Sequence, residues 1–183
     1  KEAIKTLIKY GTKKQKITVL HCNSDYPSPF KDLNLRVINF LHDKLKLDIG
    51  YSDHSIGIEV PIAVAALGGT VIEKHFTLNK NMKGPDHSTS IEPAEFKMMV
   101  NKIRNIEIAM GQSKKIVTNS EKKNIKIVRK SIYASQQINK NELFSYKNLS
   151  ILRPNLGISP MKIDNLIGKK SKYNFKKGHL IKN

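Results

Sequence analysis

Four short polar clusters stand out in the first half of the sequence: Asn23-Ser24-Asp25-Tyr26, Ser52-Asp53-His54, Glu73-Lys74-His75 and Gly84-Pro85-Asp86-His87. Their residue types are those of metal and acid–base chemistry. Two imidazoles such as His54 and His75, brought to neighbouring strand ends, can converge on one ion, with carboxylate or water completing a site for Mn²⁺, Zn²⁺ or a similar metal. The alternative is two histidines hydrogen-bonded separately, and the residues alone leave both open. Glu73 and Asp86 are the candidate acid–base groups, because a carboxylate near a metal can position or deprotonate water. For Glu73 an ion pair with Lys74 or with a lysine of a neighbouring strand is equally open. Ser24 and Ser52 offer hydroxyls to a phosphate or carboxylate, or else cap helices. Tyr26 precedes Pro27-Ser28-Pro29, a stiff segment that would hold its ring over the same rim. His21 and His42 are expected in structural roles and His179 at the surface, while His87 beside Asp86 is undecided.

These clusters need a frame, and the apolar periodicity supplies one. Glu2 to Tyr10 has Ile4, Leu7 and Ile8 at helical spacing and stops at Gly11. Lys16 to Cys22 is a short β-rich run that predicts a buried strand, with Cys22 as a small packed side chain. Leu33 to Leu45 is helical, Asp48 to Tyr51 a second strand, Ile58 to Leu67 a helix ended by Gly68-Gly69, and Thr70 to Glu73 a third strand. A last helix starts at Pro93, suited to a first helical position, and runs to Met110. One helix followed by three βα repeats implies parallel strands joined by crossovers, and every polar cluster then lies beyond a strand's carboxyl end, where such folds build their sites. Three strands do not close a barrel. The chain also starts inside an uncapped helix, so truncation of a (β/α)₈ barrel is the expectation, with an open α/β unit as the alternative.

Beyond Gly111 the pattern changes. Residues 112–127 read as a polar, lysine-rich linker between a first domain, 1–111, and a small irregular β domain, 128–183. Strand-like pieces there are Ser131 to Ser135, Leu149 to Leu152 and Lys170 to Tyr173, with one helix, Ser159 to Leu166, capped by Ser159 and led by Pro160.

Composition limits the function classes. The 183 residues carry 39% hydrophobic side chains, enough for a core. No apolar run reaches the roughly 20 residues that span a bilayer, and Lys1 to Tyr10 has no signal-peptide centre, so a cytoplasmic protein is expected. The single cysteine excludes an internal disulfide. The net charge of +18 raises a nucleic-acid reading. The lysines are spread along the chain, only Lys169, Lys170, Lys172, Lys176 and Lys177 approach a patch, and no zinc-finger or basic-zipper spacing accompanies them, so no nucleic-acid partner is expected. A basic carbohydrate- or nucleic-acid-binding module is the non-enzyme alternative, the latter recognisable by a steep loss of affinity with salt.

Taken in order, His21-Cys22-Asn23-Ser24-Asp25-Tyr26-Pro27-Ser28-Pro29, Gly50-Tyr51-Ser52-Asp53-His54-Ser55, Val71-Ile72-Glu73-Lys74-His75-Phe76-Thr77 and Gly84-Pro85-Asp86-His87 resemble the sialic acid synthase family. The likeness continues through Lys130-Ser131-Ile132, Arg153-Pro154 and Gly157-Ile158-Ser159-Pro160 into a C-terminal SAF domain similar to type III antifreeze proteins. It departs at Ser24, where some members carry Asn, and at Asn155-Leu156, where a glycine usually follows the proline.

The resemblance implies the C-terminal part of a (β/α)₈ TIM barrel, about three βα units, followed by an antifreeze-like domain, in a domain-swapped homodimer. It implies that His54 and His75 bind Mn²⁺ or another divalent metal and that Ser52 and Ser24 contact phosphoenolpyruvate. Tyr26, Glu73 and Asp86 would line the sugar side, with Glu73 handling a proton, and Arg153 would reach the N-acetyl end of the sugar across the dimer. The implied reaction condenses phosphoenolpyruvate with an N-acetylated amino sugar and releases phosphate. N-acetylmannosamine is the first expectation, for N-acetylneuraminate synthesis. The alternative is 2,4-diacetamido-2,4,6-trideoxymannose, for N,N'-diacetyllegionaminate. The family's earlier phosphate-binding residues are absent here, so the chain alone is expected to be inactive.

Overall fold

Three of the apolar runs pair side by side as parallel strands in a computed structural model that describes residues 1–182. The chain divides into two units, Lys1–Ser113 and Lys114 onward. In the first, β1 (Thr18–Cys22), β2 (Asp48–Asp53) and β3 (Ile72–Lys74) form a sheet in the order β1-β2-β3. Around them lie α1 (Glu2–Lys9), α2 (Val37–Leu45), α3 (Glu59–Ala66) and α4 (Pro93–Met110).

Side chains alternate across a strand, so each sheet face has its own residue set. Val19, Ile49, Tyr51 and Ile72 share one face and pack with Leu33, Ile38, Leu41, Val60 and Val64 from α2, its lead-in and α3. Cys22, Ser52 and Glu73 are register partners on the other face. Cys22 is exposed there, contrary to the expectation of a packed thiol, because its position in the alternation points away from the helices. Gly50 is required by close approach: a Cβ would stand 2.4 Å from the carbonyl oxygen of Val71 on the neighbouring strand.

Strands β2 and β3 run past the expected ends, through Ser52-Asp53 and Lys74. These polar residues satisfy one another across the rungs and stay in the ladder. Helix α2 starts later than expected, because Phe30–Asp32 forms a 3₁₀ turn and Asn34 takes φ 47°. Helix α1 ends at Lys9, and Gly11 in the turn after it has a φ of +96° that suits a residue without Cβ. None of the residues of α1 is buried, and Leu7 and Ile8 of its apolar stripe are exposed.

The second unit begins where a linker was expected, yet it contains a helix, α5 (Asn119–Val128). Thr118 and Glu121 form its capping box: Thr118 Oγ1 accepts from the Glu121 N–H, and Glu121 accepts from the Thr118 N–H, which with the neighbouring Lys115 lowers the Glu121 pKa. An antiparallel pair follows, β4 (Ser131–Ala134) with β5 (Leu149–Leu152). The core there gathers Ile132, Ile138, Phe144, Leu149, Phe175 and Ile181. Lys170 to Tyr173 is not a strand but a single bridge from Lys170 to Leu143, and the expected helix after Ser159 is a 3₁₀ segment, Pro160–Asn165. The charge is less evenly spread than the sequence suggested: the second unit has seventeen Lys and Arg against three Asp and Glu, a net +14, leaving +4 for the first. No helix among the described residues is long and apolar enough to cross a membrane.

Candidate active site

The strand ends of the first unit bring Tyr26, His54, His75 and Asp86 into one cluster. The His54 and His75 rings lie 5.2 Å apart between centroids, at 73°. Tyr26 packs against both, tilted 30° on His75 at 4.2 Å and edge-on to His54 at 5.4 Å.

His54 is held from several directions. Its Nδ1 lies 2.7 Å from the Asn23 carbonyl oxygen, which can only accept, so Nδ1 carries the proton and Nε2 presents its lone pair. A backbone carbonyl behind an imidazole is the support that metal-ligating histidines use. Asn23 is turned into this role because its side chain accepts from the Asp25 N–H at 2.9 Å, an Asx turn. The His54 carbonyl in turn accepts from the Ser28 N–H. His75 Nδ1 is 3.7 Å from Asp86 Oδ2, near but beyond hydrogen-bond range. Among the described residues no group of three or more His, Cys, Asp or Glu gathers into a complete metal cage. The cluster therefore places two imidazoles side by side with a phenol ring packed against both.

The loop carrying Asp86 is tied down at both ends. Ile91 N–H donates to the His75 carbonyl and Thr77 N–H to the Ile91 carbonyl. Lys80 bridges to Glu95 at the start of α4 at 2.7 Å, and that hydrogen bond is the chief cause holding the Glu95 carboxyl below its usual pKa. Within the loop, Ser90 Oγ donates to the Asp86 carbonyl at 2.7 Å, which leaves Tyr26 O–H to donate to Ser90 Oγ at 3.2 Å. His87 Nδ1 lies 2.8 Å from Thr77 Oγ1.

One rung below, Ser52 Oγ donates to Glu73 Oε1 at 2.6 Å. Ser52 is buried and Glu73 exposed, so the carboxylate keeps its other oxygen toward solvent. Glu73 does not pair with Lys74; that lysine turns to the opposite face and meets Asp53. Tyr51 is fully buried on the helix-covered face, and its hydroxyl is without a partner among the described residues. Burial first, then Asp53 and Cys22, pushes its pKa up to about 12.

Ser24 stands exposed in the turn after β1, outside this cluster. Arg153 belongs to the second unit, where its Nε donates to the Val128 carbonyl at 2.7 Å and its side chain is exposed. His21 Nε2 donates to the Leu33 carbonyl, a structural role. Three participants had no sequence signal strong enough to find them: the Asn23 carbonyl, Ser90, which is 64 residues from Tyr26, and the Asp53–Lys74 pair. Only Asn23, two residues before Asp25, showed a turn pattern that could have pointed to it.

Parallel βα units with histidines and carboxylates at their carboxyl ends define an α/β protein with an enzyme-type rim. The NeuB family profile matches residues 1–115 and the SAF domain profile residues 129–183. The chain belongs to the NeuB family. It is 51% identical over 181 residues to N,N'-diacetyllegionaminic acid synthase of Campylobacter jejuni, covering 99% of this chain and 54% of that protein. To N-acetylneuraminate-9-phosphate synthase of Homo sapiens it is 39% identical over 154 residues, covering 82% of this chain and 43% of that protein. A crystal structure of the spore coat polysaccharide biosynthesis protein SpsE from Bacillus subtilis matches 98% of this chain and 55% of its own, with a TM-score of 0.56 and 32% identity. The chain spans about half the length of the curated relatives it matches.

Proposed function

We propose that the intact protein condenses phosphoenolpyruvate with an N-acetylated amino sugar, forming a nine-carbon keto acid and releasing phosphate. The observation that carries this reading is the paired histidine site with Tyr26 across it, in a chain of the NeuB family. The 51% identity to a diacetyllegionaminic acid synthase favours 2,4-diacetamido-2,4,6-trideoxymannose over N-acetylmannosamine as the sugar.

His54 and His75 would hold the divalent ion, Mn²⁺ in this reading, because His54 Nε2 is presented by its carbonyl support and His75 lies within reach of the same point. An ion so held supplies Lewis acidity to the sugar's aldehyde. Ser52 and Ser24 contact phosphoenolpyruvate, while Tyr26 and Asp86 line the sugar side. The methylene carbon of phosphoenolpyruvate bonds to the aldehyde carbon, water adds at the neighbouring carbon, and the carbon–oxygen bond to phosphate breaks. Glu73 takes the proton of that water, and the Ser52 hydroxyl that donates to it in the free site turns to phosphoenolpyruvate. Arg153, on the SAF domain of the other subunit of a homodimer, binds the N-acetyl group.

The test is Mn²⁺ binding and phosphate release by the intact protein with each sugar. One ion per subunit, lost in His54→Ala together with at least a hundredfold of kcat/KM, is the expected result. Undiminished metal content and turnover in His54→Ala would refute it, and equal kcat/KM for both sugars would refute the substrate preference.

A further inference from the structure

The two site histidines each follow directly on a residue of one buried ion pair. Asp53 and Lys74 are register partners on the last rung of β2 and β3, and His54 and His75 are the next residues in the chain. Lys74 Nζ lies 2.7 Å from Asp53 Oδ2, with the two side chains 3% and 0% exposed. Lys74 Nζ also donates to the Ser55 carbonyl at 2.6 Å. Asp53 Oδ1 accepts from the Ser55 N–H at 2.9 Å and from the Ser55 hydroxyl at 2.6 Å. All polar groups of Ser55 are therefore engaged, and the residues on both sides of His54 are locked to β3.

We infer that the Asp53–Lys74 pair is a positioning brace that sets the separation and orientation of His54 and His75. The inference rests on the two-histidine metal reading above. His54 has other restraints, the Asn23 carbonyl on its ring and the Ser28 N–H on its backbone. His75 has fewer: its ring meets Tyr26 and the more distant Asp86, and its backbone meets Ile91. Beside the Tyr26 ring, which touches both imidazoles, the tie from Lys74 to Asp53 is the side-chain link between the strand ends that carry them. Both charged groups are shielded from solvent, so neither reaches the rim; they are positioning residues and not catalytic ones. A buried ion pair is a poor source of stability, because desolvation offsets the attraction, and apolar or neutral replacements of both partners are often tolerated. Its presence one residue from each histidine fits the holding of geometry.

The experiment uses the intact protein and Mn²⁺ alone, with free ion read by electron paramagnetic resonance and folding by thermal melting. A single substitution would strand a buried charge, so both partners are changed. In D53N/K74M the new amide oxygen at position 53 still accepts from Ser55, the net charge is unchanged, and the contacts from position 74 to Asp53 and to the Ser55 carbonyl are both cut. A melt close to the parent's with Mn²⁺ affinity reduced ten- to a hundredfold is expected, the range typical of lost outer support. D53N/K74Q, which restores an uncharged donor facing the amide at position 53, should recover part of that loss, and it serves as the reading variant should D53N/K74M fail to fold. Parental Mn²⁺ affinity in folded D53N/K74M, or in D53N/K74Q should it alone fold, overturns the brace while the metal site stands, provided His54→Ala abolishes binding. No Mn²⁺ binding by the parent, or parental binding by His54→Ala, overturns the two-histidine reading and the brace with it.

Discussion

Tyr51→Phe tests the packing directly beneath the site. The Tyr51 ring is fully buried between β2 and the helices, near His21 at 5.4 Å, and its hydroxyl has no partner among the described residues. An unpaired buried hydroxyl costs about 1–3 kcal/mol, whereas deleting one oxygen forfeits contacts worth a few tenths. The variant should therefore be more stable than the parent by about 1 kcal/mol at neutral pH. Alkaline titration gives a second readout. The folded pKa is raised from 10.0 to about 12, so the unfolded chain loses its proton first. The parent's stability from this group is complete below pH 10, declines between pH 10 and 12, and is gone above. A displacement of that size corresponds to about 3 kcal/mol, and phenylalanine removes this pH dependence. Denaturant midpoints of parent and variant, measured from pH 7 to pH 11, should diverge above pH 10. A variant less stable than the parent by 1 kcal/mol at pH 7 would refute the reasoning because it requires the hydroxyl to be satisfied in the folded protein, and parallel pH profiles above 10 would refute it because they require a Tyr51 pKa that folding does not raise.

Glu73→Gln keeps an oxygen for the Ser52 hydroxyl to donate to and removes the proton acceptor. A fall in kcat of about 10²- to 10⁴-fold is expected with Mn²⁺ affinity within threefold of the parent; a kcat within tenfold would take Glu73 out of proton transfer. Arg153 uses only Nε on the Val128 carbonyl, which leaves its terminal nitrogens for a ligand. Arg153→Ala should lower kcat/KM for the sugar by roughly ten- to a hundredfold through one charge-assisted bond. An unchanged sugar KM and kcat would remove Arg153 from substrate binding.

The three βα repeats were readable because hydrophobic runs and glycine or proline stops coincide, as at Gly11, Gly68-Gly69 and Pro93. Their edges were less readable. Ser52, Asp53 and Lys74 look like loop residues by polarity, and only the register shows that Ser52 meets Glu73 and Asp53 meets Lys74, so that each becomes a legitimate strand residue. Helix α5 was hidden for the opposite reason. Its residues are mostly polar and exposed, with only Ile125 partly buried, so no apolar stripe announces it, and the sign that does exist is the local Thr118–Glu121 capping box. Of the site, the histidines and carboxylates were visible as types. Their supports were not, because Asn23 acts through its main chain and Ser90 through a contact distant in sequence.

The alternation of β2 and β3 explains why supports and chemistry occupy consecutive residues. At one rung Ser52 and Glu73 face the side away from α2 and α3, where a carboxylate remains accessible. At the next rung Asp53 and Lys74 turn to the covered side, where burial obliges them to neutralise each other. The chain then leaves both strands together, at His54 and His75, directly above that tie. A one-residue slip of β3 against β2 would set Glu73 against Asp53, two carboxylates in a buried position, and would separate Lys74 from its buried counter-charge, Asp53. The ion pair thus penalises the wrong register by more than it stabilises the right one, and the register it enforces is the one that brings the two imidazoles side by side.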